Sequence, residues 1–197
     1  MIDVVFGKKD DRIIKENKDR AILFSDDYSP TVSFNDIDAV IIQTNDIREL
    51  NSRIAKLSGK NKLIIIEGNS DLINRASLES KKTFMLLSPE KIRKSDSLNS
   101  KNSGLNQVLC EIARKNSKII GINAQDIIDK AGNKSDAEKA NIIGRIMQNI
   151  KLCRKYKCKI IILSCTNHPE SKEKIKSLSQ SLGFSTQQIK DMEKLIL

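Results

Sequence analysis

Seven short runs rich in β-branched residues recur along the chain, and their spacing is what most limits the folds open to it. They are Ile2–Phe6, Ala21–Ser25, Ala39–Thr44, Leu63–Glu67, Thr83–Leu87, Ile119–Asn123 and Ile160–Ser164. Most are nearly continuous apolar runs rather than alternating ones, which is how strands covered on both faces read. Segments of helical period separate the later runs, so from residue 38 onward the order is strand, helix, strand, helix. That alternation predicts βαβ units with right-handed crossovers, an α/β class and a parallel sheet. A length of 197 residues suits one domain spanning 1–197.

Capping signals place the helices. Ser103 precedes Leu105, Val108, Leu109 and Ile112, spaced to form one core-facing stripe, and Arg114 and Lys115 suit the negative end of that helix. Ser135-x-x-Glu138 is a capping box for a long helix whose expected apolar stripe is Ile143, Ile146, Met147, Ile150 and Cys153. Arg145, Lys151 and Lys155 fall on its opposite side and Arg154 at the stripe's edge. Pro169 fits the start of the next helix, Gly183 its end, and Ser185-x-x-Gln188 caps the last. The serine-rich stretch Ser88–Asn102 reads as a long loop after a strand.

Charge is distributed unevenly. Residues 1–87 hold 14 Lys/Arg and 14 Asp/Glu, whereas 88–197 hold 21 and 11, so the whole net charge of +10 lies in the second segment. Lys139 to Lys159 contains seven basic residues and no acidic one, and Lys91 to Lys118 seven against two. A lysine-rich proteome predicts a uniform surplus, whereas a neutral half joined to a cationic one is the footprint of a surface facing a polyanion.

Several functions are excluded or disfavoured. No apolar run approaches the ~18–20 residues that span a bilayer, and the N-terminus turns charged too early for a signal-peptide core, so a cytoplasmic protein without membrane contact is expected. Cys110, Cys153, Cys158 and Cys165 form no C-x-x-C and sit in apolar segments, as buried reduced thiols do. One histidine, His168, cannot build a multinuclear His/Asp metal centre. Trp is absent and aromatics are 4%, against recognition by rows of stacked bases. Phosphate-cradling glycine loops and the G-x-S-x-G elbow are missing. His168 with Cys165 reads as an ordinary loop pair, since no carboxylate is identifiable to orient it, and Asp26-Asp27 as part of a turn.

Asn102–Asn116, NSGLNQVLCEIARKN, resembles the signature of the ribonuclease P protein component 3 family of archaea and eukaryotes, in which an S-G-[IL]-N-x-V-L segment opens a helix after a basic loop. Arg145–Cys158, RIMQNIKLCRKYKC, resembles the basic helix that in this family precedes a strand, and Leu182-Gly183-Phe184 resembles its later helix end. Two departures stand out. Ser100-Lys101 occupies the place of the family's frequent paired arginines, and Ser164-Cys165 that of its frequent Ser-Gly pair.

The resemblance implies an α/β barrel of the TIM type, possessing the shape of the polymerase-and-histidinol-phosphatase barrel without its metal ligands; seven readable strands leave the eighth unassigned. It implies a non-catalytic subunit of ribonuclease P, the ribonucleoprotein that removes the 5′ leader of precursor tRNA. Partners would be ribonuclease P RNA, protein component 2, other subunits and, indirectly, precursor tRNA. The chain would bind no cofactor, and Mg2+ would serve the RNA. Expected RNA contacts are Arg93, Lys94 and Lys101 in the loop, Arg114 and Lys118 around the following helix end, and Arg145, Lys151, Arg154 and Lys155 on the basic helix. The competing reading is a metal-dependent phosphoesterase of the related barrel superfamily, which needs clustered His and carboxylate ligands.

Overall fold

A computed structural model describes residues 5–6, 21–24, 37–59, 63–92, 96, 101–128, 135–165 and 172–196. Seven strands form one sheet in chain order: β1 (Val5–Phe6), β2 (Ala21–Phe24), β3 (Ile37–Ile42), β4 (Leu63–Glu67), β5 (Met85–Leu87), β6 (Ile119–Asn123) and β7 (Lys159–Leu163). Every neighbouring pair is parallel. The helices are α1 (Ile47–Leu57), α2 (Asp71–Glu79), α3 (Gln107–Lys115), α4 (Ala124–Ile128), α5 (Asp136–Tyr156), α6 (Lys172–Ser181) and α7 (Thr186–Ile196), with a 3-10 turn at Pro89–Lys91. None of the described helices is long and apolar enough to cross a membrane.

Strand order explains the layering. A parallel sheet that always adds its next strand on the same side places right-handed crossovers on one face only. Register separates the two faces: Ile42, Ile66, Leu86, Ile120 and Ile160 form one row, and Ile41, Ile65, Met85 and Ile119 the next. Val40, Ile42, Ile64 and Ile66 pack on Leu50, Ile54 and Leu57 of α1 and Ile73 of α2, which marks the helix-covered face. Ile41, Ile65, Met85 and Leu87, on the other face, are buried as completely. Burial on both faces accounts for the continuous apolar runs in the sequence.

Among the described residues the sheet is open, with β1 and β7 as its edges, and is not the closed barrel implied by the resemblance. A TIM barrel closes with eight strands. Seven are present here, the first only two residues long.

Helix boundaries also differ from expectation. Ser103 is not the cap of α3; Asn106 is, accepting from the Leu109 amide at 2.9 Å. The buried stripe is therefore Leu109, Cys110 and Ala113, and Val108 is 55% exposed. Gly104 prevents an earlier start, because its φ of +75° is not helical. The capping boxes at Ser135–Glu138 and Ser185–Gln188 form as expected. Gly183, at φ +89°, ends α6. Pro169, His168 and Asp26-Asp27 lie outside the described residues.

Gly121 is fixed by packing between strands. A Cβ there would lie 2.7 Å from Met85 Sδ and 3.0 Å from Leu87 Cδ1. Gly121→Val is expected to destabilise the fold by about 1–3 kcal/mol through overpacking, read as a lower urea midpoint with unchanged m value.

Candidate nucleic-acid interface

The two ends of the sheet differ in chemistry. At the carboxyl ends of β3 to β6, polar side chains close over the apolar layer. Lys91 Nζ lies 2.6 Å from Glu67 Oε1 and 2.9 Å from Asp126 Oδ2. Gln43 Nε2 donates to Glu67, and Ser88 Oγ is 3.5 Å from Asp126 Oδ2. Burial alone would lower the Lys91 pKa, but Asp126 and Glu67 outweigh it and hold the ammonium above its ordinary range. A lysine kept charged between two carboxylates is neither nucleophile nor base at neutral pH. This end is where barrel enzymes place their chemistry. Sequence reading missed these residues, since each looks like an isolated loop polar group until the strand ends converge.

Beside this network the Ser103-Gly104 step is clamped by its backbone. Asn149 Nδ2 donates to the Ser103 carbonyl at 2.9 Å, and Asn74 Nδ2 to the Gly104 carbonyl at 3.0 Å. A Cβ on Gly104 would fall 1.8 Å from the Pro89 carbonyl oxygen. Gln148 Nε2 donates to the Lys101 carbonyl at 3.0 Å, and Asp96 accepts from the Asn102 amide at 2.7 Å. The segment that carries the family resemblance is thus a buried brace between the Pro89 turn, α2 and α5.

Arg145 belongs to the same brace. Its Nε donates to Asp96 Oδ1 at 2.9 Å, and Nη1 donates to the carbonyls of Glu90 and Ile92 at 3.2 and 3.1 Å. Its side chain is 14% exposed. Expecting it on a solvent face failed because the Pro89 turn and Asp96 cover a second side of α5, opposite the core. Lys118 is likewise turned inward: it is 5% exposed and donates to the Thr83 carbonyl, and burial lowers its pKa. Lys101 is partly exposed, 3.3 Å from Asn141 Oδ1 and 3.7 Å from Asp96 Oδ2. Arg93 and Lys94 lie outside the described residues.

Arg114, Lys151, Arg154 and Lys155 are exposed. Arg114 ends α3 ahead of β6, while Arg154 and Lys155 end α5 ahead of β7, so these three mark the amino-terminal end of the sheet. Exposed Lys115, Lys157, Lys159 and Lys194, which sequence reading did not select, add to them. Arg154, Lys157, Lys159 and Lys194 line a cavity of about 550 Å³ together with Asp191, Ser185, Gln187 and Gln188. Lys157 and Lys159 lie in the acid-free run already visible in the sequence, whereas Lys194 comes from α7 and required the tertiary fold.

Glu90 is a buried carboxyl in the brace, 1% exposed. Among the described residues neither of its oxygens has a hydrogen-bond partner, and neither does Asn149 Oδ1. Desolvation raises its pKa to about 8, with the Asp126 charge adding to the rise. The folded state therefore binds more protons than the unfolded chain between the ordinary glutamate range and about pH 8. Stability is expected to be full below about pH 4.5 for this group and to fall by a few kcal/mol as pH rises towards 8. Glu90→Gln should flatten that part of the pH profile of urea midpoints and raise stability at pH 9.

No family model matches the chain. It is 29% identical over 126 residues to ribonuclease P protein component 3 of Methanococcus vannielii, covering 64% of this chain and 50% of that one. To the protein of the same name from Methanocaldococcus jannaschii it is 27% identical over 173 residues, 88% of this chain and 67% of that one. For Methanosarcina acetivorans the figures are 29% over 116 residues, 59% and 44%. The chain thus spans about half to two thirds of the curated relatives it matches. A chain in a cryo-EM structure of archaeal ribonuclease P with mature tRNA superposes with a TM-score of 0.73 at 22% identity, over 100% of this chain and 89% of that one, and shares its fold. In sequence the chain is similar to ribonuclease P protein component 3 of several archaea, and in fold to a chain of an archaeal ribonuclease P.

Proposed function

We propose that this chain is a non-catalytic subunit of ribonuclease P that supports the RNA which removes the 5′ leader of precursor tRNA, in the cytoplasm. Its partners would be that RNA, protein component 2 and further protein subunits, with precursor tRNA contacted indirectly. The observation that carries this reading is the exposed basic cluster at the amino-terminal end of the sheet, on a chain similar to component 3. The winding of the sheet is read as that of a TIM-type barrel left open.

Mechanistically, such a subunit works by placing positive charge where RNA phosphates converge. Fixed cations reduce the self-repulsion of the folded RNA and release its condensed counterions. Arg114, Arg154 and Lys155 project from the ends of two packed helices, so their spacing is set by the core rather than by a loop. Lys151, one turn earlier on α5, extends the same charge, whereas Lys101 lies toward the other end of α5, beside Asn141 and Asp96. Hydrolysis and its magnesium ions belong to the RNA.

The phosphoesterase reading finds less support. The carboxylates described at the carboxyl ends of the strands, Glu67 and Asp126, are tied to Lys91.

Replacing Arg114, Arg154 and Lys155 together with Gln should weaken binding of ribonuclease P RNA. It should reduce the slope of log K against log salt by about 2–3, since each phosphate left without its cation removes roughly 0.7–0.9 from that slope. An unchanged slope would refute the interface. Arg145→Gln should instead lower the urea midpoint, with the salt slope of the folded protein unchanged, because its guanidinium bonds inside the chain.

A further inference from the structure

Three of the four cysteines meet at one point beneath the basic end of the sheet. Cys110 comes from α3, Cys153 from α5 and Cys158 from the residue before β7, and their sulfurs lie within 4.8 Å of one another. Neighbouring backbone fixes two of them. Lys157 closes α5 in the left-handed conformation, at φ +56°, and the Cys158 amide donates to the Cys153 carbonyl at 2.9 Å. Packing of α3 against α5 brings the third. Cys110 and Cys153 are fully buried, and Cys153 and Cys158 line the cavity of about 550 Å³. The trio is therefore buried, with the cavity beside Cys153 and Cys158.

We propose that Cys110, Cys153 and Cys158 form a zinc site, with three thiolate ligands and a fourth position open to water from the cavity. Zinc takes sulfur ligands at about 2.3 Å, which brings tetrahedral sulfurs to about 3.8 Å apart, so the trio needs to contract by under about 1 Å. Three S–H bonds are exchanged for three Zn–S bonds, and the released protons pass to the buffer. The charge balance selects the metal. Three thiolates with Zn2+ carry −1, whereas with Cu+ they carry −2, and a buried site tolerates the smaller net charge better. Arg154, Lys157 and Lys159 line the cavity and offset the −1.

Cys158 Sγ donates to the Cys110 carbonyl at 3.1 Å as a thiol. As a thiolate it is favoured by hydrogen bonds from Cys110 and then Cys153, and by the Arg114 charge, so its pKa lies below the usual thiol range. Hydrogen bonding with Cys110 and Cys158 and burial push Cys153 up.

The test uses the full chain, reduced and stripped of metal. Titration with cobalt(II) should give thiolate-to-cobalt charge-transfer absorption saturating at one equivalent, and zinc should displace the cobalt stoichiometrically. X-ray absorption of the zinc-loaded wild-type protein should show three sulfur neighbours and one lighter atom. Cys110→Ser, Cys153→Ser and Cys158→Ser should each weaken zinc binding at least tenfold, and Cys165→Ser, outside the trio, should leave it unchanged. The wild-type spectra decide the matter should a variant fail to fold. Absence of the charge-transfer band, fewer than three sulfur neighbours, or binding of copper(I) with no binding of zinc would overturn the proposal.

Discussion

The strands of this protein are hydrophobic on both faces, and an isoleucine-rich parallel strand has no side it can leave to water. Every strand is added in the same direction, an order that with right-handed crossovers puts helices on one face, where α1 and α2 pack on β3 and β4. On the other face Ile41, Ile65, Met85 and Leu87 are buried as completely, within one apolar cluster. Gly121 shows how closely that inner layer is filled. Polar side chains gather at the two rims of the sheet.

Those rims are specialised differently. At the carboxyl ends, Lys91 bridges Glu67 and Asp126, and the braced Pro89 turn and Ser103-Gly104 step lie beside them. At the amino ends, basic residues project from the last turns of α3 and α5 without acidic neighbours in the Lys139–Lys159 run. Cationic side chains near helix C-termini also suit the helix dipole, so the same charges stabilise the helices and form the outward-facing patch. A rigid rim of this kind holds its charges in fixed relation, which an RNA with converging phosphates can use.

Much of this was legible in the sequence. Leu63–Glu67 and Ile119–Asn123 match their strands residue for residue, because a run buried on both faces is apolar throughout and ends where the chain emerges. Capping boxes at Ser135 and Ser185 were readable because they are local. Arg145 and Lys118 were misjudged for the opposite reason: their partners, Asp96 and the Thr83 carbonyl, are distant in sequence. The Ser103-Gly104 step was recognisable as a motif but misread as a helix start, since the constraint on it comes from Asn74, Asn149 and Pro89. Cys165 adopts φ +48°, a conformation that glycine takes at least cost.

The subunit reading is tested most directly by reconstitution. Ribonuclease P RNA, protein component 2 and this chain would be combined, and precursor tRNA cleavage followed as magnesium is lowered. Charge supplied by the basic rim should allow cleavage to persist at magnesium concentrations where the RNA with component 2 alone is inactive. Identical magnesium profiles with and without the chain would contradict the account.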